Sequence, residues 1–453
     1  MMKSTPEELL AQIGGEARIK VGGFDIDGIL RGKSISVSKF ASAAETGFGF
    51  CDVIFGWDSA DVLYDNTTFT GWHTAYPDVL ARLDLSTLRR IPWEGNVPFV
   101  LCDFYGKDGA PLPISPRQVL TRVVERALER GYKPMMSCEF EFFFFKETPE
   151  TLREKGYRNL TPLSPGMFGY SVYRASEHAG LVDDLVRHMK AFDCEIEGIH
   201  CETGPGVYEV AIGYDEAVRA ADKAMLFKTG AKEIAARHGL IACFMAKFSP
   251  TLPGCSGHTH VSLWDPEGRK NLFAAADGSG ASDLMKRFAA GQLATMRELL
   301  PFYLPTINSY KRTVPGTWAP ASATWGRDNR TTALRFIEGP SPKATRIEVR
   351  LTGADVNAYS AFAACLAGGL HGVEKNLELP PERVGNAYVS VAPEEKLARS
   401  LESAIPHLAR SEVARAWLGE AFVEHYLATR DWEVRESQKA VTDWELARYM
   451  EII

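Results

Sequence analysis

Residues 135–145 read MMSCEFEFFFF. This run restricts the fold more than any other part of the chain. As a strand it alternates its side chains between two faces. Met136, Cys138, Phe140, Phe142 and Phe144 make one face wholly apolar, so that face must be covered. Ser137, Glu139, Glu141 and Phe143 make the other. Two carboxylates one strand step apart repel each other and resist desolvation. Their surroundings must supply water, cationic side chains or a metal. A solvent-facing strand is the simplest way to meet that need. The stretch CEIEG at 194–198 repeats the pattern with Glu195 and Glu197, so the pair alone decides nothing.

The remaining composition narrows the field. A chain of 453 residues exceeds one ordinary core, and two domains are expected. A net charge of −7 gives no reason to expect nucleic acid or an anionic membrane surface as a partner. The opening MMKSTPEELL lacks the apolar core of a signal peptide, and no apolar run is long enough to span a bilayer. The eight cysteines include no C-x-x-C, and Cys102, Cys138, Cys243 and Cys365 lie in apolar contexts. Reduced thiols in a cytoplasm fit this pattern better than a disulfide framework or a zinc site.

There is no internal repeat and no low-complexity linker. The first hundred residues read mainly as strands, with a hairpin turning near Asp27-Gly28. The stretch SPRQVLTRVVERALERG predicts a helix with Ser115 as N-cap, Pro116 at its first position and Gly131 ending it. A boundary near residue 107 separates domains 1–107 and 108–453. Beyond it, charged strands alternate with helices at 214–238 and 353–377.

Four further stretches combine polar groups with strand patterning. HCETGPGVYEV places Glu202 and Glu209 on either side of a Gly-Pro-Gly turn. GCSGHTHVSLW holds the only H-x-H among ten histidines, with His258, His260 and Ser262 on one face. ATRIEVRL sets Arg346, Glu348 and Arg350 on one face, and DNRTTALRF offers Arg330 and Arg335. Together with the opening run they suggest a shared polar funnel. Mg²⁺ or Mn²⁺ takes such carboxylate oxygens with an occasional imidazole. Metals with several arginines suit a polyphosphate. Neither a G-x-x-x-x-G-K-[ST] loop nor a G-x-G-x-x-G after a strand is present, so nucleotide binding here is of another kind.

In this order, EFEFFFF, ETGPGVYE, FMAKFSPTLPGCSGHTHVSLW, NSYKRTVPG, NRTTALRF and SPKATRIEVR resemble the glutamine synthetase family. The resemblance runs from about Asp103 into the 370s and is weaker before that. It implies an α+β glutamine synthetase fold, with a small N-terminal β-grasp-like domain and a large catalytic domain built on an antiparallel sheet funnel. It also implies stacked rings, usually homododecamers, with active sites between subunits. By resemblance, Glu141, Glu202 and Glu209 would hold one Mg²⁺ or Mn²⁺. Glu139, His258 and Glu348 would hold another, on the phosphates of ATP, with two or three metals per site. Arg335, Lys343 and Arg346 would face the nucleotide phosphates, and His260 and Ser262 would lie along the nucleotide. Gly254, Arg312 and Arg350 would bind glutamate. Arg335, Arg330 and Trp318 would act in catalysis. Glu195 and Glu197 match no ligand position and are expected on a solvated face.

The implied reaction is ATP-dependent. The γ-carboxylate of glutamate attacks the γ-phosphate, and an amine then displaces phosphate from the γ-glutamyl phosphate. Several residues depart from the family pattern. Ammonia-using members carry a glutamate in the flap after V-P-G, and here TVPGTWAP puts Trp318 there. The loop that lends an aspartate to the neighbouring subunit is shorter, with Asp58 or Asp61 as its only candidates. Val207 stands for a glutamine, Pro253 for an asparagine before the glycine-rich turn, and Glu378 for the tyrosine that some members adenylylate. An indole in place of a flap carboxylate removes a proton acceptor and adds apolar area and a cation–π face. The expected activity is therefore ligation of glutamate to an organic amine. The alternatives are a glutamine synthetase using ammonia and a non-catalytic homologue, and six intact metal positions speak against the latter.

Overall fold

The structure is a computed structural model and describes residues 11, 13, 15–278, 280–314, 316–389 and 391–453. The first sheet contains β1 (Ile19–Phe24), β2 (Leu30–Ile35), β3 (Phe48–Cys51), β4 (Asp78–Leu83), β5 (Arg89–Ile91) and β6 (Val97–Tyr105). Its order is β2-β1-β6-β4-β3, with β5 on β6. β1 and β2 form the expected hairpin around Asp27-Gly28, and β1 runs parallel to β6. Helix α1 (Val37–Thr46) lies in the same region and buries Phe40 in a core with Val21, Phe55, Val100 and Phe104.

The second sheet is larger. It comprises β7 (Lys133–Phe145), β8 (Ile196–Cys201), β9 (Val207–Ile212), β10 (Asp215–Glu216), β11 (Ile241–Cys243), β12 (Gly257–Trp264), β13 (Trp325–Arg327), β14 (Leu334–Ile337) and β15 (Arg346–Val349). The order is β13-β14-β15-β12-β7-β9-β8, with β10 and β11 also on β7. The expectation of an antiparallel sheet holds except at its edge, where β13 pairs parallel with β14. The run that opened the sequence argument is thus the central strand. Its alternation is realised up to Glu141: Met136, Cys138, Phe140 and Phe142 are buried, while Ser137, Glu139 and Glu141 are partly exposed. Phe143 departs from the polar face and is buried against Phe145 and Phe248.

Helices cover the apolar face. α2 (Pro116–Glu129), α3 (Ala217–Arg237) and α5 (Ala358–Glu374) pack on it, α4 (Asp283–Tyr303) packs against α5, and α6 (Glu420–Gln438) against α4, with the Phe302 and Tyr426 rings 4.5 Å apart. Ser115 and Pro116 start α2 as expected, although the serine side chain makes no capping hydrogen bond. Gly131 follows its end with a φ of +79°, a conformation that favours glycine. Phe227 of α3 packs on Phe140 and Phe142, with ring centroids 6.1 and 5.9 Å away.

A buried ionic hub joins the two sheets. Arg117 of α2 donates to both oxygens of Asp222 on α3, at 2.8 and 2.9 Å, and to Asp84 at 2.7 Å. It also bonds Asp103 of β6, and Tyr359 of α5 donates to Asp222 at 2.6 Å. One guanidinium therefore ties β6 and the end of β4 to three elements of the larger half. Burying a charge this deeply is tolerable only with such complete pairing.

Candidate active site

Strand register gathers the polar residues. His258 of β12 lies opposite Glu139 of β7, and Glu141 lies opposite Glu209 of β9. On the other flank, His260 faces Glu348 of β15, and Arg335 of β14 faces Glu348. Cross-strand neighbours are close enough for side chains to interact. Five segments distant in sequence thus bring their polar side chains to one face. Glu202 sits at the turn before β9. There Gly206 has a φ of +73°, and a Cβ on it would lie 2.8 Å from the Leu163 nitrogen and 2.9 Å from the Phe144 carbonyl oxygen.

Glu139, His258 and Glu348 are brought together. His258 Nδ1 lies 3.6 Å from Glu139 and 3.3 Å from Glu348. His260 Nε2 is 3.3 Å from Glu139. Arg335 and Arg350 flank Glu348 at 3.0 and 2.5 Å. Burial opposes ionisation of Glu348, but the charges of His258, Arg350, His260 and Arg335 outweigh it and hold the carboxyl at about 2. Burial likewise opposes ionisation of Glu139, yet the adjacent imidazoles of His258 and His260 keep it far below the usual range.

The second set is differently arranged. Glu202 and Glu209 both turn toward His200, which sequence reasoning passed over, at 3.4 and 3.0 Å. Those hydrogen bonds raise His200 to about 9. Glu141, expected beside Glu202 and Glu209, accepts from the Ser256 backbone N–H at 2.7 Å. Glu209 is pushed up to about 8, chiefly by burial and by the charges of Glu141 and Glu139 against the bond to His200. Carboxylates this crowded are short of positive charge. The imidazole of His258 is buried, and neither ring nitrogen has a hydrogen-bond partner. Orphaned nitrogens beside hard carboxylate oxygens fit a divalent cation. Ligand atoms of Glu139, Glu209 and His258 lie within 4.8 Å of one another, as do those of Glu139, His260 and Glu348, and of His200, Glu202 and Glu209.

The remaining candidates surround this centre. A cavity of about 280 Å³ is lined by Ser137, Glu139, His260, Ser262, Lys343 and Arg346. Arg346 donates to His260 Nδ1 at 3.2 Å, and the Ser262 hydroxyl accepts from the Trp264 indole at 2.9 Å. Glu195 is exposed and bonds Lys190, as expected of a solvated face. Glu197 is also exposed but lines the cavity, which its place in a strand near Glu202 did not reveal. Arg312 is buried and donates to the backbone carbonyls of Leu351 and Arg350, at 3.0 and 3.3 Å. A guanidinium has five N–H groups, so others remain for a ligand. Gly254 packs on this arginine, and a Cβ there would lie 2.7 Å from Arg312 Cγ. Arg350 also donates to the Arg330 carbonyl, while the Arg330 side chain is exposed.

Two exposed aromatic residues are Trp318, six positions after Arg312, and Tyr170, beside His200. Trp318 is 66% exposed with a φ of +61°. Tyr170 is exposed, also with positive φ, and stacks on His200 with centroids 4.3 Å apart. Glu209, Glu202 and Arg330 all act on its phenol. Tyr170 lies 32 positions before Glu202 in a stretch without strand patterning, so nothing in the sequence marked it. Asp58 and Asp61 are both engaged within their own chain. Asp58 accepts from the Ala60 and Val62 backbones and the Trp432 indole, and Asp61 from Arg31. Among the described residues no helix is long and apolar enough to cross a membrane.

Residues 113–449 match the family model described as glutamine synthetase, catalytic domain. The chain is 50% identical over 439 residues to the Type-1 glutamine synthetase 2 of Dictyostelium discoideum, covering 96% of this chain and 84% of that protein. It is 42% identical over 439 residues to the glutamate--isopropylamine ligase of a Pseudomonas species, covering 96% and 95%. Among solved structures, a GmaS/ADP complex superposes with a TM-score of 0.85 at 26% identity, covering 99% of this chain and all of that one.

Proposed function

Because the chain belongs to the glutamine synthetase family of ligases, we propose that it joins the γ-carboxylate of glutamate to an organic amine at the expense of ATP. Trp318 carries this reading. It stands where the resemblance places a proton-accepting glutamate in ammonia-using members. The engagement of Asp58 and Asp61 within their own chain supports it, since neither carboxylate is free to collect ammonium for a neighbour. The name of the Pseudomonas relative, an isopropylamine ligase, points the same way.

In this mechanism Arg312 and Arg350 hold the carboxylates of glutamate, with Gly254 leaving room for Arg312. Arg335, Lys343 and Arg346 meet the phosphates of ATP, and His260 and Ser262 lie along the nucleotide. Glu139, His258 and Glu348 would hold one divalent cation and Glu141, Glu202 and Glu209 another, as Mg²⁺ or Mn²⁺, with two or three per site. Such ions, when bound, offset phosphate charge. The γ-carboxylate oxygen attacks the γ-phosphorus, and ADP leaves. The neutral amine then attacks the acyl carbon, phosphate leaves, and the nitrogen gives up a proton. Arg335 faces the transferring group, and Arg330 and Trp318 border the amine. By family, the working form is a homododecamer of stacked hexameric rings with sites between subunits. A cytoplasmic location suits the free cysteines.

The Dictyostelium relative's name supports ammonia as the alternative acceptor. The test is kcat/KM for ammonia and for a panel of alkylamines, read as ADP formed with ATP and glutamate. Preference for an alkylamine is expected. Preference for ammonia over every amine would overturn the reading.

A further inference from the structure

On the covered side of the large sheet, away from the carboxylates, lies a second cavity of about 660 Å³. It is bounded by the β1–β2 turn, α3, the segment after β11, the end of α4, the start of α5, and α6. Its walls are largely apolar, with Ile26, Ile29, Leu30, Ile241, Met245 and Phe302 among them. Two lysines one helical turn apart on α3 enter it, Lys228 and Lys232. Lys228 is more than nine-tenths buried, and its ammonium donates only to the Val356 carbonyl, at 3.0 Å. Both ammonium groups lie over the ring of Phe244, at 5.7 and 5.8 Å from its centroid. Among the described residues neither lysine forms an ion pair.

The other charged groups of the cavity are engaged or set apart. Arg430 is paired with Asp27 at 2.5 Å, and Glu233 accepts from the Trp93 indole. One oxygen of Asp355 takes the hydroxyls of Thr306 and Ser309, at 2.8 and 2.6 Å, while the other is buried without a hydrogen-bond partner and its charge bears on Lys228. Glu433 is held toward its neutral form, mainly by burial. Two neighbouring lysines that form no ion pair, in a largely apolar chamber, favour an anion with an apolar body, whose charge would keep the proton on Lys228. We propose that this cavity is a binding site for a monocarboxylate with an apolar tail, its carboxylate held by Lys228 and Lys232. The site is separate from glutamate and ATP binding. Through Asp355 it adjoins Thr306 and Ser309, which lead into Arg312.

The test uses the intact assembled enzyme with hexanoate, followed by thermal shift and isothermal titration, with saturating glutamate and ATP present. Hexanoate is expected to bind and raise the melting temperature, and hexanol to bind more weakly. Lys228→Met and Lys232→Met should each reduce hexanoate affinity about tenfold or more. Both keep the apolar stem, and Lys232 lies at the exposed rim, so at least that variant folds. Ligase activity without hexanoate should be unchanged in Lys232→Met. No binding, equal affinity for hexanol, displacement by glutamate, or insensitivity to both substitutions would overturn the proposal. None of these readouts depends on which amine the enzyme uses.

Discussion

Glu348 and Glu139 flank the same imidazole, yet their replacement by glutamine should have different consequences. Glu348 is almost fully buried and balances Arg350 and Arg335, at 2.5 and 3.0 Å. Arg350 is itself buried, and its other side-chain contact is the neutral Arg330 carbonyl. Glu348→Gln keeps the shape but leaves that guanidinium without a counter-charge. Breaking a buried pair from one side costs about 3–5 kcal/mol. Glu139 is partly exposed, and its partners are the two histidines, which need not be charged. Glu139→Gln leaves no stranded charge, so the cost is that of a hydrogen bond or two, about 1 kcal/mol. Both variants should lose ADP formation and bind Mn²⁺ more weakly, because each removes an anionic oxygen from the same cluster. The assay is chemical denaturation of the assembled protein, with Mn²⁺ titration and ADP release on the same samples. Equal loss of stability in the two variants would refute the claim that Glu348 balances the arginines. Normal turnover in Glu139→Gln would refute the metal assignment.

Trp318→Glu should move kcat/KM toward ammonia, by up to about tenfold to a thousandfold relative to an alkylamine, if the indole supplies apolar and cation–π contact; an unchanged ratio argues against that role. Arg117→Met strands Asp222, Asp103 and Asp84 and should cost about 3–5 kcal/mol in denaturation experiments while leaving KM for glutamate unaltered in what folds. Gly254→Val pushes on Arg312 and the Ala246 carbonyl and should raise KM for glutamate far more than KM for ATP. Burial, with the charge of Lys232, lowers Lys228 from 10.5 to about 7 in the folded chain. Between these values the unfolded state binds the extra proton, so stability should rise with pH across that window, by a few kcal/mol. Denaturation of Lys228→Met from pH 7 to 10 should lack that rise.

The central strand was legible because its alternation is a local property. Apolar and polar residues took turns, and only a sheet with one covered face satisfies both. The helix from Pro116 and the hairpin at Asp27-Gly28 were readable for the same reason, each resting on a few adjacent residues with fixed backbone preferences. The polar stretches suggested a shared funnel by their number and patterning, and only their resemblance to a family gave each a role. Their meeting on one face depends on register between strands far apart in sequence, which no local pattern encodes. That is why the place of His200 between Glu202 and Glu209, and the Ser256 N–H on Glu141, went unread even though Glu141 and Glu209 are opposite in register. It is also why Glu197 reached the cavity unnoticed and why Tyr170 was missed. Asp58 and Asp61 show the same limit from the other side. The family's loop suggested a service to a neighbouring subunit, and the contacts of Asp58 with Trp432, 374 positions away, and of Asp61 with Arg31, 30 positions away, appear only in the folded chain. Lys228 and Lys232 of α3 read as ordinary helix positions. What sets Lys228 apart is its burial with one hydrogen bond and no ion pair, and that is a property of the packed structure alone.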